Sequence, residues 1–165
     1  MCYVCTMETR LSIAKERVYD EVDKTTAYAG AKMAGGDGAY DRIFTTEEDR
    51  ELLERFWQEA CATCDGALKP FLKHAGEREG DYVRLLELPA SYPQQLTPSV
   101  EDDLSASLTL YIAGKWFAVA AGQEAEACLA DAAVRLDAAM RKLYYRKAPE
   151  RPGGCCCRSG KEACI

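Results

Sequence analysis

The sequence predicts an all-α fold: a bundle of about four amphipathic helices, with one extended or strand-like segment between helices two and three. Three observations carry this reading. Apolar residues recur at Ala125, Leu129, Ala132, Leu136, Met140 and Leu143, in steps of three and four that place them on one stripe of a helix. Thr45 and Glu48 have the spacing of a capping box and precede a second stripe of the same period. Thr97-Pro98 supplies a cap residue with proline at the first helical position, ahead of a third.

The first helix is expected over about residues 13–33, with Leu11, Ala14, Val18, Val22, Ala29 and Met33 on its apolar side. Three glycines, Gly35, Gly36 and Gly38, end it in a flexible loop, and residues 40–44 make a short packed turn. The second helix starts at Thr45 and carries Leu53, Trp57, Ala60, Cys61, Cys64, Leu68 and Phe71 on its stripe; Pro70 ends or kinks it near Lys69. Residues 81–88, bounded by Gly80 and Pro89, hold β-compatible side chains and form the one strand. With no second strand evident, its edges are expected to pair with a neighbouring subunit or partner protein. The third helix runs from Thr97 to near Gly122 with Val100, Leu104, Leu108, Tyr111, Ile112 and Val119 toward the core. The fourth, within residues 123–147, follows after a very short turn, so the last two helices are antiparallel neighbours.

A chain of 165 residues suits one domain. The division is a disordered extension over 1–10, the bundle over 11–147 and a disordered Cys-rich tail over 148–165. The net charge of −6 is unevenly spread: from Arg141 onward seven Lys or Arg face two Glu, a local +5, so the remainder carries −11. An acidic body argues against binding DNA over its whole surface. The first sixteen residues lack an export signal's apolar core, and the weakly polar run 108–122 is too short to span a bilayer. The compartment is read as cytoplasmic, with the thiols reduced.

No motif points to catalysis or to a cofactor. Cys2 and Cys5 form one C-x-x-C pair and Cys61 and Cys64 another, a donor set able to hold zinc. Cys61 and Cys64 also fall on an apolar stripe, where free cysteine packs as a small hydrophobe, so packing is expected and no metal is assigned. If translation begins at Met7, the first pair is absent from the protein. Cys155-Cys156-Cys157 after a basic helix end has the look of an S-acylation site, but a loosely constrained tail accounts for it. The tail's Gly154 to Lys161 is not a P-loop, because the glycine spacing is wrong and Glu162 follows the lysine. His74 is the only histidine and a surface role is its default. The acidic groups at Glu47-Glu48-Asp49 and Glu101-Asp102-Asp103 are explained by the helix dipole.

The best candidate contact surface is the basic, aromatic end of helix four: Tyr144, Tyr145, Arg146, Lys147 and Arg151, with Arg141 and Lys142 just upstream. Cations there suit phosphates or acidic partners and tyrosines can stack, although the helix dipole alone also favours cations at that end.

The strings 15–22, 40–50 and 141–147 resemble small uncharacterised phage and prophage structural proteins, similar in outline to helical neck and head–tail completion adaptors. The resemblance covers about residues 13–147 and neither Cys-rich end. It implies a non-enzymatic assembly module, working with copies of itself or with other phage structural proteins in the host cytoplasm or the virion. The alternative reading is a small nucleic-acid-associated regulator using the basic end of helix four.

Overall fold

The computed structural model describes residues 5–33, 45–76, 80–120 and 124–147. They contain strand β1 (Thr6–Ile13), helix α1 (Lys15–Met33), helix α2 (Arg50–Leu68), strand β2 (Leu72–Ala75), strand β3 (Tyr82–Pro89), helix α3 (Thr97–Ala120) and helix α4 (Ala125–Tyr144). The helices stand where the periodicity places them, but the all-α class is overturned. The strands form one antiparallel sheet in the order β1-β3-β2, so the fold is α+β. The glycine loop, the turn over 40–44 and the tail lie outside the described residues.

The strand expected over 81–88 is β3, and it needs no neighbouring subunit. β1 covers one of its edges, from Thr6 opposite Pro89 to Ile13 opposite Tyr82, and β2 covers the other. Residues 6–10, expected to lie in a disordered extension, belong to β1. The physical reason is an alternation of period two: Thr9, Leu11 and Ile13 turn inward while Thr6, Glu8, Arg10 and Ser12 face solvent. β3 alternates in step, with Tyr82, Arg84, Leu86 and Leu88 buried.

Each helix has a local cause. Asp81, just ahead of β3, accepts the Lys15 N–H at 2.9 Å and so satisfies a free donor at the start of α1. In place of the expected Thr45–Glu48 box, a pairing one residue further on closes the 3-10 turn Glu47–Asp49 that leads into α2, whose own cap position, Asp49, makes no side-chain cap bond. Asp49 accepts both the Thr46 N–H (2.9 Å) and the Thr46 hydroxyl (2.8 Å), while the Thr45 hydroxyl reaches the Asp23 carboxylate of α1. α2 closes at Leu68, where Phe71 N–H bonds back to the Leu68 carbonyl at 2.8 Å around Pro70. Cys61 and Cys64 are buried among its core residues.

α3 touches α1, α2, α4 and β1, and it is buried accordingly at Val100, Leu104, Leu108, Ile112 and Phe117. A helix packed by neighbours on several sides carries apolar residues round most of its circumference. Val119, expected in the core, is 64% exposed near the end of the helix, past the reach of its neighbours. α3 and α4 run antiparallel: Ser99 and Asp103 meet Lys142, Ser107 meets the Ala132 carbonyl, and Gly114 meets Leu129. A Cβ at Gly114 would stand 2.9 Å from Leu129 Cγ, so glycine is what lets these helices close. No helix among the described residues is long and apolar enough to cross a membrane.

One cation enters the interior. Arg84 is fully buried on the inner face of β3, and Asp65 of α2 meets it with two bonds, Nε to Oδ1 at 2.6 Å and Nη2 to Oδ2 at 3.1 Å. Nη1 donates to the Val83 carbonyl at 2.8 Å, the guanidinium lies 4.1 Å from the Tyr82 ring centre, and the Tyr82 hydroxyl donates to Asp65 at 3.0 Å. Asp65→Ala should therefore lower unfolding free energy by about 3–5 kcal/mol, because it strands a buried cation. The double change Asp65→Leu, Arg84→Met should recover most of that loss in urea melts, since it removes both charges; a double variant no more stable than Asp65→Ala would show that the pair does more than neutralise itself.

Burial pushes the Cys64 thiol and the Tyr82 phenol well up, so both keep their protons in the folded chain. Once pH passes the ordinary thiol value, about 8.5, only the unfolded chain releases the thiol proton. Stability should thus fall as pH rises above about 8.5, and Cys64→Ala should shallow that fall in denaturant melts taken across the range.

Candidate interaction surface at the end of α4

The basic, aromatic residues at the end of α4 play distinct parts. The helix stops at Tyr144 because Tyr145 turns extended, with ψ 140°, and its N–H bonds to the Lys142 carbonyl at 3.1 Å. Arg146 then folds back, donating from Nη1 to the Leu143 carbonyl at 2.7 Å and the Tyr145 carbonyl at 2.8 Å. It thus satisfies carbonyls at the helix terminus. Lys147 N–H bonds to the Ser91 carbonyl at 3.0 Å, which ties the chain to the turn after β3. Tyr144 sets its ring edge-on to Phe71, 4.9 Å between centres, against the segment that leaves α2. Arg151 lies outside the described residues.

The upstream cations are likewise engaged. Lys142 spends all three donors inside the fold, on the Ser99 carbonyl (3.3 Å), the Ser99 hydroxyl (2.6 Å) and the Asp103 carboxylate. Asp103 is buried, and Arg135 stands 3.7 Å from its other oxygen. Arg141 pairs with Asp137 one turn back at 2.6 Å, in full exposure to solvent.

An open groove of about 500 Å³ lies beside these residues, between Pro93, Gln95 and Leu96 of the turn ahead of α3 and Arg141, Tyr145 and Lys147 of the α4 end. Tyr144 and Tyr145 are 56% and 57% exposed. The surface therefore offers aromatic and aliphatic carbon together with a few cations, which suits a protein segment better than a phosphate backbone. The sequence alone brought Tyr144, Tyr145, Arg146 and Lys147 together; it did not find Pro93, Gln95 or Leu96, which approach only because α3 and α4 are antiparallel.

Another groove, about 570 Å³, lies beside Lys15, Tyr19, Arg50 and Glu54. Lys15 binds Glu54 at 2.5 Å and lies 5.6 Å from the ring centres of Tyr19 and Trp57, while the Tyr19 hydroxyl donates to Glu54 at 3.3 Å. Burial first, and then the Glu54 charge, hold the Tyr19 phenol well above its ordinary value. A phenol held that firmly protonated is a poor general base near neutral pH. His74 is exposed on β2. Among the described residues no group of three or more His, Cys, Asp or Glu is placed to hold a metal ion. The chain matches no protein-family model, and no curated protein or solved structure matches it.

Single substitutions should separate structure from surface at the α4 end. Lys142→Ala leaves Asp103 with the looser Arg135 contact at 3.7 Å and should destabilise by about 1–2 kcal/mol, discounted for the partial exposure of the lysine. Arg146→Glu removes the carbonyl bonds and places an anion at the negative helix end, for a loss of about 0.5–1 kcal/mol. Lys147→Glu should stay within about 0.5 kcal/mol. Equal effects of all three in thermal melts would contradict this division.

Proposed function

We propose that this protein is a non-enzymatic interaction and assembly module that docks a partner protein at the groove beside the α4 end. The observation that carries the reading is the pairing of exposed aromatic surface with cations already committed within the fold. Lys142 and Arg146 serve Asp103 and the helix carbonyls, so the groove presents Tyr145 and Leu96 flanked by Arg141 and Lys147, an amphipathic surface. Aromatic residues in such settings are frequent anchors of protein contacts.

The specific version is a phage or prophage structural protein similar to a neck or head–tail adaptor, acting in the host cytoplasm or the virion with copies of itself or with neighbouring structural proteins. The resemblance of residues 13–147 supports it. The nucleic-acid regulator is less favoured, because Lys142, Arg146 and Arg141 each have an intramolecular partner that a phosphate would have to displace.

The test combines Arg141→Glu, Tyr145→Ala and Lys147→Glu in one chain, co-expressed with the products of the adjacent genes. The triple variant should stay folded, losing about 1 kcal/mol at Arg141, which gives up its Asp137 pair and sets an anion in the last turn of α4, and about 0.5 kcal/mol or less at each other site, and it should lose co-purification with the partner that wild type retains. Portal, terminase or tail genes beside this one would support the adaptor version. Duplex DNA binding that weakens steeply with salt and disappears in the triple variant would overturn the reading in favour of the regulator.

A further inference from the structure

The two edges of the sheet are built differently. β2 is four residues long and its register slips between Leu72 and His74, and a short, irregular edge discourages strand addition. β1 is eight residues long and regular along its whole pairing with β3. Its hydrogen-bonding phase follows from its ends. Ala90 N–H bonds to the Cys5 carbonyl at 2.9 Å, so the odd-numbered residues of β1 face β3 with their backbone groups. The backbone N–H and C=O of Thr6, Glu8, Arg10 and Ser12 therefore point away, toward the open edge. Ser12 confirms the phase: its N–H reaches outward to Glu101 of α3 at 2.8 Å, which closes that end of the strand. Among the described residues no strand pairs with the edge at Thr6, Glu8 and Arg10.

We propose that β1 is a dimerisation strand that pairs antiparallel with β1 of a second copy of this chain, about a twofold axis at Thr9. Two independent features select this partner and this register. The first is charge. Outward backbone groups require even residues to pair with even residues, and with the axis at Thr9 each Glu8 faces the second copy's Arg10. An axis at Glu8 or at Arg10 would instead set like charges opposite each other, which is unfavourable. The existing ion pair between Lys73 and Glu8 uses Oε1 and leaves Oε2 for the guanidinium.

The second feature is Thr9 itself. The residue is 5% exposed, and its hydroxyl is sealed from solvent with no hydrogen-bond partner within the chain. A buried, unmet hydroxyl is unfavourable unless something completes it. At the proposed axis Thr9 stands directly opposite its own copy in a pair whose backbone bonds point elsewhere, the closer of the two antiparallel spacings, and both side chains lie on the same face of the sheet. Each hydroxyl is sealed within its own chain, so the two bond to each other once both Thr9 side chains turn to another staggered rotamer toward the axis. Paired this way, the sheets become continuous across both copies, and Glu8 exchanges both N–H···O bonds with the second copy's Arg10. The inference rests on the assembly reading for its purpose, but it concerns the opposite side of a different element from the α4 groove.

The experiment is sedimentation equilibrium of the full chain under reducing conditions, so that linkage through the exposed Cys5 plays no part. Wild type should dimerise reversibly. Glu8→Arg alone and Arg10→Glu alone should each weaken dimerisation by about tenfold or more, since each sets like charges opposite across the axis. Mixing the two singly changed proteins should restore a dimer, as a heterodimer whose facing residues are again opposite in sign; the chain carrying both changes should also dimerise. Thermal melts of each variant show whether the monomer remains folded. As a second readout, the Glu8 and Arg10 amides should gain protection from hydrogen exchange as concentration rises, while Ser12 stays protected throughout. A wild-type chain monomeric at high concentration, or a dimer indifferent to these charges and not rescued by mixing, overturns the proposal. Either result leaves co-purification through the α4 groove to be decided by its own triple variant.

Discussion

Arg84 lies inside because β3 alternates, and a strand that places Tyr82, Leu86 and Leu88 on the helices must place residue 84 there too. The rest of the architecture accommodates that one cation. Asp65 comes from the last turn of α2, so neutralising the guanidinium sets where and at what height α2 lies on the sheet. The two-point contact adds an angular constraint that apolar packing alone lacks, since a planar fork meets a carboxylate in few orientations. Tyr82 completes the cluster with its ring against the guanidinium and its hydroxyl on the same carboxylate. Cys61 and Cys64 then fill the space beside it as small apolar groups.

The same economy governs the far side of α3. Asp103 is buried at its N-terminal end, and Lys142 reaches back from α4 to meet it. Packing, charge and direction thus agree: the pairing of α3 with α4 that Gly114 allows at one end is locked by an ion pair at the other. A consequence for function is that much of the positive charge near the C-terminal end of α4 is consumed by the fold. What remains exposed there is Tyr144 and Tyr145 together with Arg141 and Lys147.

The sheet shows how a small α+β fold handles its borders. One face is covered by helices, and the other carries Thr6, Glu8, Arg10, Lys73 and Glu87, joined by bonds such as Thr6 to Glu87 at 2.7 Å. One edge is short and irregular. The other is regular and held at a single end by Glu101, and among the described residues no strand pairs with its remaining outward backbone groups.

Helix positions were legible in the sequence because a helix writes its burial into a period that local reading detects. The stripes beginning at Leu53, Val100 and Ala125 mark α2, α3 and α4, and Pro70 and Thr97-Pro98 mark a stop and a start. The aromatic, basic end of α4 was legible for the same reason, as a place where the stripe ceases. β1 carries an equally regular alternation, but Leu11 also suits a helical stripe, and only the partner strand decides between the two periods. β2, with four residues, is too short to carry any period. Nothing local distinguishes Asp65 and Arg84 from solvated surface charges, or shows that Pro93 and Leu96 will stand beside Tyr145. Those are meetings of residues far apart in the chain. Local chemistry determined the helices and their ends; the sheet, the buried charge and the groove were decided by which surfaces could satisfy one another once the helices had packed.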